Sequence, residues 1–214
     1  MIPLLPPLGL CLFAYLFASI SFAWWVARSH GINLREHGSG NLGATNVGRV
    51  LGGRWFAVVF IADVFKGILP VTLMQISLPA WEIPDAAAGW WLTACAAAAV
   101  IGHIAPCWHG FRGGKAVATS LGVIIALSPL VAAAAAGVWL LAWLVGLALG
   151  LGRSNAVAPA SVCAALGAAG LQWWWFGWGE EALPITILVV LAAVLVVVRH
   201  RTNLQRLLPG RGSA

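Results

Sequence analysis

Charged residues are scarce in this sequence. Only 8% of its 214 residues are Asp, Glu, Lys or Arg, whereas soluble domains average about 25%. Apolar residues make up 61%, and the mean hydropathy is +0.93. A water-soluble fold of this size cannot bury so much apolar surface, and a disordered chain is poorer in apolar residues. The composition therefore predicts an all-α integral membrane protein, with one domain over residues 1–214, and excludes a classical nucleic-acid binder.

Cysteine pairing and several enzyme motifs are also missing. The four cysteines show no pairing pattern, which excludes a disulfide-stapled secreted domain. There is no GxSxG motif, no GxxxxGK[ST] loop, and no histidine followed five residues later by aspartate. These absences argue against a serine nucleophile, a nucleotide triphosphate and the acyltransferases that carry that His–Asp pattern. We expect no cofactor and no metal site.

Seven apolar segments are candidates for membrane spans. A span needs about 20 apolar residues. The 36-residue run 116–151 would form a helix of about 54 Å, far longer than a bilayer core of about 30 Å. Proline disfavours helical geometry in the residue before it, so we divide this run at Ser128-Pro129. The predicted spans are 4–27, 55–78, 89–105, 116–128, 130–150, 156–175 and 183–198. The first lacks a basic n-region and a cleavage site, which favours a retained span over a signal peptide.

The placement of cations orients these spans. With the N-terminus outside, eleven of the twelve Lys and Arg residues fall in inner loops 28–54, 106–115 and 151–155 or in the tail from Arg199. The outer loops contain no cation. A single span over 116–151 would instead place Arg153 and the tail arginines outside, against the positive-inside tendency. The pattern predicts seven transmembrane helices, an outside N-terminus and a cytoplasmic C-terminus. It also places Glu36 as the sole acid of the inner loops, so a carboxylate dyad is not expected.

Polar residues gather in three inner segments. Residues 38–49 read GSGNLGATNVGR, in which glycines allow close backbone approach and Arg49 supplies a bidentate cation suited to phosphate. The neutral donors here are Ser39, Asn41, Thr45 and Asn46. Residues 113–115 read Gly-Gly-Lys before a predicted helix, an arrangement that favours anion binding. The third segment, 199–206, taken alone would be a basic tail drawn to anionic lipid. His200 and Asn203 are three residues apart, so they share a face if the last helix continues.

Two opposite charges lie inside the second predicted span. Asp63 and Lys66 are three residues apart, and charges within the membrane are costly and indicate function. We expect them to form an ion pair that, with His103, supports the site from behind rather than touching substrate.

These motifs resemble one family along essentially the whole chain. Their pattern is similar to that of the PlsY-type acyltransferases of bacterial membranes. Four motifs carry the resemblance: the GSGNxGATNVGR loop, the Asp63-xx-Lys66-Gly67 element, the GHxxP…GGKxVAT loop and the RHRxNLxRLL tail. The resemblance implies seven spans in the inner membrane and transfer of an acyl group from acyl phosphate to the 1-hydroxyl of sn-glycerol 3-phosphate. The products would be lysophosphatidic acid and phosphate, in the first step of bacterial phospholipid synthesis. Acyl-CoA and acyl carrier protein would not be direct donors.

The resemblance also implies residue roles. Catalysis would involve Ser39, Arg49, Lys115 and His200. Glycerol 3-phosphate would be bound by Ser39, Thr45, Arg49, Lys115, His200 and Asn203, with Asn41 and Asn46 contributing, and acyl phosphate by the backbone of Gly113 and Gly114. The general base would be His200 or a substrate phosphate; we favour a binding role for His200. The acyl tail would lie between helices, open to lipid.

The sequence departs from the family pattern at a few positions. Leu42 stands where proline is common and Ala116 where glycine is common. The tail 209–214 lacks the family's glycine–threonine–glutamate, so no role of that glutamate carries over. The main alternative function is a membrane transporter of phosphorylated solutes, although such transporters usually show repeated halves and midplane charges. The expected partners are the two substrates and the bilayer, not nucleic acid; protein partners are left open.

Overall fold

Helices form every regular element in the part of the chain that the structure describes. The structure is a computed structural model and describes residues 4–177, 179–180, 182–205 and 207. The tail 209–214, where the sequence departs from the family pattern, lies outside these residues. The α-helices are Leu5–Ala18 (α1), Phe22–Ser29 (α2), Ala44–Leu51 (α3), Gly53–Ser77 (α4), Asp85–Ile104 (α5), Val117–Leu127 (α6), Pro129–Ala148 (α7), Arg153–Phe176 (α8) and Leu183–Gln205 (α9), with 3₁₀ turns at Pro79–Trp81 and Cys107–His109.

Among the described residues, six helical segments are long and apolar enough to cross a membrane. They are Leu5–Ser29, Gly53–Ser77, Asp85–His109, Pro129–Ala148, Arg153–Phe176 and Leu183–Gln205. The chain is therefore a multi-pass membrane protein. Helix α6 has only 11 residues and is about 16 Å long, roughly half the thickness of a bilayer core. The described residues thus contain six full-length candidate spans, and the short apolar helix α6 lies where the sequence predicts a further span over 116–128.

The helix breaks follow local sequence chemistry. The predicted break at Ser128-Pro129 is confirmed, because α6 ends at Leu127 and α7 begins at Pro129. The predicted span 4–27 corresponds to the candidate span Leu5–Ser29, which contains a break, because α1 ends at Ala18 and α2 begins at Phe22. The Ser19 hydroxyl donates to the Tyr15 carbonyl at 2.8 Å, and the Ser21 hydroxyl accepts from the Trp24 amide at 3.2 Å. Ser21 therefore caps α2, as an N-cap serine commonly does.

Small residues bring α4 and α6 into backbone contact. A Cβ added at Gly67 would overlap the Thr119 carbonyl, and one added at Gly122 would overlap the Val64 carbonyl. Membrane helices pack most closely where such small residues face each other. Elsewhere α1 packs on α5, α7 on α8, and α8 on α9. The α4–α6 contact sets the charged residues of α4 beside the start of α6.

Candidate active site

A cavity of about 450 Å³ opens where α6 and α8 begin and α9 ends. Its polar end contains every side chain that the sequence assigned to catalysis or substrate binding. These residues come from the loop before α3, from α3, from the start of α6 and from the end of α9: Ser39, Asn41, Thr45, Asn46, Arg49, Lys115, His200 and Asn203. Three separate stretches of the chain, 39–49, 115 and 200–203, thus converge on one site.

The loop that carries Ser39 is shaped by Asn46. The Asn46 carbonyl oxygen accepts from the Ser39 amide at 2.8 Å, and its amide nitrogen donates to the carbonyls of His37 at 3.0 Å and Asn41 at 3.1 Å. The side chain is 1% exposed. Gly38 has a φ of +63°, and a Cβ there would overlap the Asn46 side chain. The hydrogen-bonding capacity of Asn46 is therefore used to hold the loop in shape, although the sequence suggested direct substrate contact.

The Gly113–Gly114 backbone is also fully engaged. The amide of Gly113 donates to the Ile104 carbonyl at 2.9 Å, and that of Gly114 to the His103 carbonyl at 3.1 Å. The Arg199 guanidinium donates to the Gly114 carbonyl at 2.8 Å. These contacts fold the loop back onto the last turn of α5. In this structure the amides of both glycines already have acceptors within the protein, which differs from the expectation that they bind acyl phosphate through their backbone.

The residues that follow the glycines face the cavity instead. Lys115 Nζ donates to Asn203 Oδ1 at 2.6 Å, joining the start of α6 to the end of α9. Ala116, in the left-handed region with a φ of +59°, then turns the chain into α6. Val117 and Ala118 line the cavity, and the first amides of a helix have no acceptor within it. The start of α6 thus supplies a cation and the positive end of a helix dipole to the same space.

His200 presents one ring nitrogen to the cavity. Its Nδ1 lies 2.8 Å from the Val196 carbonyl, which can only accept, so Nδ1 carries the hydrogen. The neutral ring then has Nε2 as its acceptor, in a residue that is 4% exposed and lines the cavity. Asn203, one helical turn further on, lines the same cavity.

Asp63, Lys66 and His103 form a buried cluster against the Gly–Gly–Lys loop, and Asp63 and His103 also line the cavity. Lys66 Nζ lies 2.9 Å from Asp63 Oδ1, 3.1 Å from His103 Nδ1 and 2.9 Å from the Ile20 carbonyl, to which it donates. All three residues are buried, and none of them is more than 7% exposed. A Cβ on Gly114 would overlap the His103 imidazole, so the cluster packs directly against the loop. The ion pair expected between Asp63 and Lys66 is present.

The family follows from comparison with known proteins. The family model described as glycerol-3-phosphate acyltransferase matches residues 8–210. The chain belongs to this family. Curated members include glycerol-3-phosphate acyltransferases of Synechococcus sp. (strain JA-3-3Ab), 40% identical over 92% of this chain and 87% of the relative, and of Aquifex aeolicus (strain VF5), 40% identical over 95% and 96%.

Two crystal structures of PlsY, an integral membrane glycerol 3-phosphate acyltransferase, share the fold. The glycerol 3-phosphate form is 37% identical with a TM-score of 0.81, covering 96% of this chain and 94% of that one. The lysophosphatidic acid form is 35% identical with a TM-score of 0.76, covering 96% and 93%. The chain is therefore a membrane-integral glycerol-3-phosphate acyltransferase.

Sequence reasoning missed two polar residues of this acyltransferase site. Ser154 and Asn155, at the start of α8, line an adjoining cavity of about 280 Å³ together with Ser39, Arg49 and Asn203. A signal was present, because residues 153–155 are a short polar run in a loop already placed on the inner side. They lie outside the motifs that carry the family resemblance.

Away from its polar end, the acyltransferase cavity continues between α6, α7, α8 and α9. This part is lined mainly by alanine, valine and other apolar side chains. A charged mouth and an apolar groove are therefore parts of one space.

Proposed function

We propose that this acyltransferase uses acyl phosphate as its donor and acylates the 1-hydroxyl of sn-glycerol 3-phosphate in the bacterial inner membrane, with its site on the cytoplasmic side. The observation that carries the proposal is the two-part cavity. Its polar end holds Arg49 and Lys115, which suit phosphate, and its groove suits a fatty tail. Both the donor and the lysophosphatidic acid product have this combination of head and tail. The solved PlsY relatives, in glycerol 3-phosphate and lysophosphatidic acid forms, support the same substrates.

The reaction needs no protein nucleophile, because acyl phosphate is already an activated mixed anhydride. The 1-oxygen of glycerol 3-phosphate forms a bond to the acyl carbonyl carbon, and the bond from that carbon to the phosphate oxygen breaks. The hydroxyl proton leaves with the departing phosphate. Holding the two substrates together supplies much of the rate enhancement. We assign His200 to substrate binding, with Nε2 accepting a hydrogen bond from a substrate hydroxyl.

The polar residues divide into contacting and supporting groups. Arg49, Lys115 and the first amides of α6 would stabilise the charge that develops on the carbonyl oxygen and the phosphate. Ser39, Asn41, Thr45 and Asn203 would orient glycerol 3-phosphate. Asn46 would act by holding the loop that carries Ser39.

The buried cluster and the Gly113–Gly114 turn complete the supporting group. Asp63, Lys66 and His103 would keep the Gly–Gly–Lys loop in place, and the Gly113–Gly114 backbone would present Lys115 rather than bind the donor itself.

We also propose seven crossings with an outside N-terminus and a cytoplasmic C-terminus. Lys115, before α6, bonds to Asn203 at the end of α9, and Ser154, after α7, lines the cavity beside Asn203. Helix α7 is about 30 Å long, one full crossing. Since the chain leaves and returns to the same end of the bundle, residues 116–128 would make the opposite crossing. The short α6 fits this role because the loop before it folds back onto the last turn of α5. Helix α6 therefore starts part of the way into the bundle and has less of the membrane left to cross.

An assay with purified protein in detergent tests the donor. Palmitoyl phosphate and glycerol 3-phosphate should give phosphate and lysophosphatidic acid, while palmitoyl-CoA should give none. Arg49→Met should lower kcat/KM by about 10- to 100-fold, the effect of losing one charge-assisted hydrogen bond. The matched control is Arg54→Met, an exposed arginine at the start of α4 that should leave the activity unchanged.

Two outcomes would contradict the proposal. One is product formed only from acyl-CoA. The other is uptake of glycerol 3-phosphate into proteoliposomes with no acylation, which would support the transporter.

A further inference from the structure

We propose that the apolar groove measures the acyl chain, and that Ile124, Ala168 and Val189 form the floor that sets the longest chain accepted in extended form. This inference rests on the proposed function, because it takes the groove's occupant to be the acyl chain of the donor. It adds the residues that select chain length.

The groove follows one face of each of two long helices. On α8 it is lined at Val157, Ser161, Ala165 and Ala168, which recur at helical spacing. The lining of α8 spans residues 154–168 and that of α9 spans residues 189–203. Each stretch covers 14 steps of about 1.5 Å, or about 21 Å. The two helices therefore stop lining the groove at the same depth.

The floor is closed by packing and by a buried hydrogen bond. Ile124, Ala168 and Val189 belong to one buried apolar cluster, and each is no more than 8% exposed. One turn beyond them, Gln172 Nε2 of α8 donates to Thr186 Oγ1 of α9 at 3.3 Å, and both residues are 1% exposed. This bond holds α8 and α9 together directly below the groove.

The depth of the groove translates into a chain length. With the acyl carbonyl level with His200, Val189 lies eleven residues down α9, or about 16 Å. An extended chain advances about 1.25 Å per methylene, from C–C bonds of about 1.5 Å at tetrahedral angles. An acyl chain of about 14 carbons therefore reaches the floor. A longer chain has to bend or leave between the helices into lipid.

Side-chain direction determines how substitutions change this length. Helical side chains lean toward the helix N-terminus, and both α6 and α8 have their N-termini at the polar end. A leucine at position 168 therefore points up the groove and fills about three methylenes of its length. Removing the Ile124 side chain beyond Cβ opens the floor by a similar amount. The two substitutions should shift chain preference in opposite directions.

The test measures kcat/KM for decanoyl, dodecanoyl, tetradecanoyl, hexadecanoyl and octadecanoyl phosphate. Ala168→Leu should raise the preference for dodecanoyl over hexadecanoyl phosphate by about tenfold, the effect of losing burial of two methylenes. Ile124→Ala should move the preference toward longer chains. Cys163→Leu, on the exposed face of α8 and outside the groove, should leave the profile unchanged.

The outcomes separate the two proposals. An active Ala168→Leu enzyme with the wild-type profile would overturn the chain-length proposal alone. If that variant does not fold, an unchanged profile in Ile124→Ala overturns it instead. A wild-type enzyme inactive with every acyl phosphate would overturn the proposed donor, and the chain-length proposal with it.

Discussion

Replacing Lys66 with methionine should destabilise the enzyme strongly, although Lys66 lies behind the site. Methionine keeps the apolar stem of lysine but removes the charge. The substitution abolishes the contacts of Lys66 Nζ with Asp63 Oδ1 at 2.9 Å, the Ile20 carbonyl at 2.9 Å and His103 Nδ1 at 3.1 Å. Asp63, which is 2% exposed, then has no cation beside it.

The size of the effect follows from this burial. Removing one partner of a buried ion pair costs about 3–5 kcal/mol, because the other charge stays uncompensated. At about 2–4 °C per kcal/mol for a chain of this length, Tm should fall by about 6–20 °C. Asp63→Leu combined with Lys66→Met removes both charges and should recover most of that loss, because apolar replacement of a buried pair is often neutral. It should not restore kcat, since His103 still lacks the contact that holds it against Gly114.

Thermal unfolding followed by tryptophan fluorescence in detergent provides the measurement, since the chain has thirteen tryptophans. Arg54→Met is the matched control. It removes an exposed cation from the same helix, stacked 5.1 Å from the Trp55 ring, and should change Tm little. The reasoning fails if Lys66→Met unfolds within about 2 °C of wild type. It also fails if the double variant is no more stable than Lys66→Met, since the stability loss would then not come from an uncompensated charge.

Three further predictions concern single residues. Asn46→Ala should raise the KM for glycerol 3-phosphate by more than about tenfold, because the loop over 34–41 loses hydrogen bonds worth about 1 kcal/mol each. An unchanged KM would show that the loop holds its shape without these hydrogen bonds. Ala116→Gly should raise Tm by about 2–4 °C, because a left-handed conformation costs an L-residue about 1 kcal/mol, and an unchanged or lower Tm would contradict this. His200→Gln should keep appreciable turnover if His200 binds substrate, whereas complete loss of turnover with intact substrate binding would make it the general base.

The clustering of the polar residues on one side of the membrane could be predicted, because it depends on the number of spans between them and on the placement of charges. Once the run 116–151 is broken at Ser128-Pro129, the segments around Arg49, Lys115 and His200 fall on one side of the membrane. The structure places all three residues on one cavity. Steric restriction before proline is local, so the sequence alone also predicts the break itself.

The hydrogen-bond partners could not be predicted in the same way. Glycine-rich loops were expected to offer free amides to an anion. The Gly113 and Gly114 amides instead bond to carbonyls of the preceding helix, which depends on how the chain folds back. Asn46 likewise uses its amide on the backbone of its own loop. Residue type shows that a group can bind, and only tertiary structure shows which partner it has.

Two buried or half-buried cations, Lys66 and Arg199, donate to backbone carbonyls outside the helices. Irregular backbone within a bilayer has no water to bond, and each unsatisfied group costs several kcal/mol. The first span is interrupted near Ser19–Ser21, and a second stretch without α-helix separates α5 from α6 and ends at Gly113–Ala116. Lys66 donates to the Ile20 carbonyl at the first interruption, and Arg199 donates to the Gly114 carbonyl at the second. A site built from helix ends therefore needs donors for its backbone as well as for its substrate, and Lys66 and Arg199 supply them at Ile20 and at Gly114, the residue before Lys115.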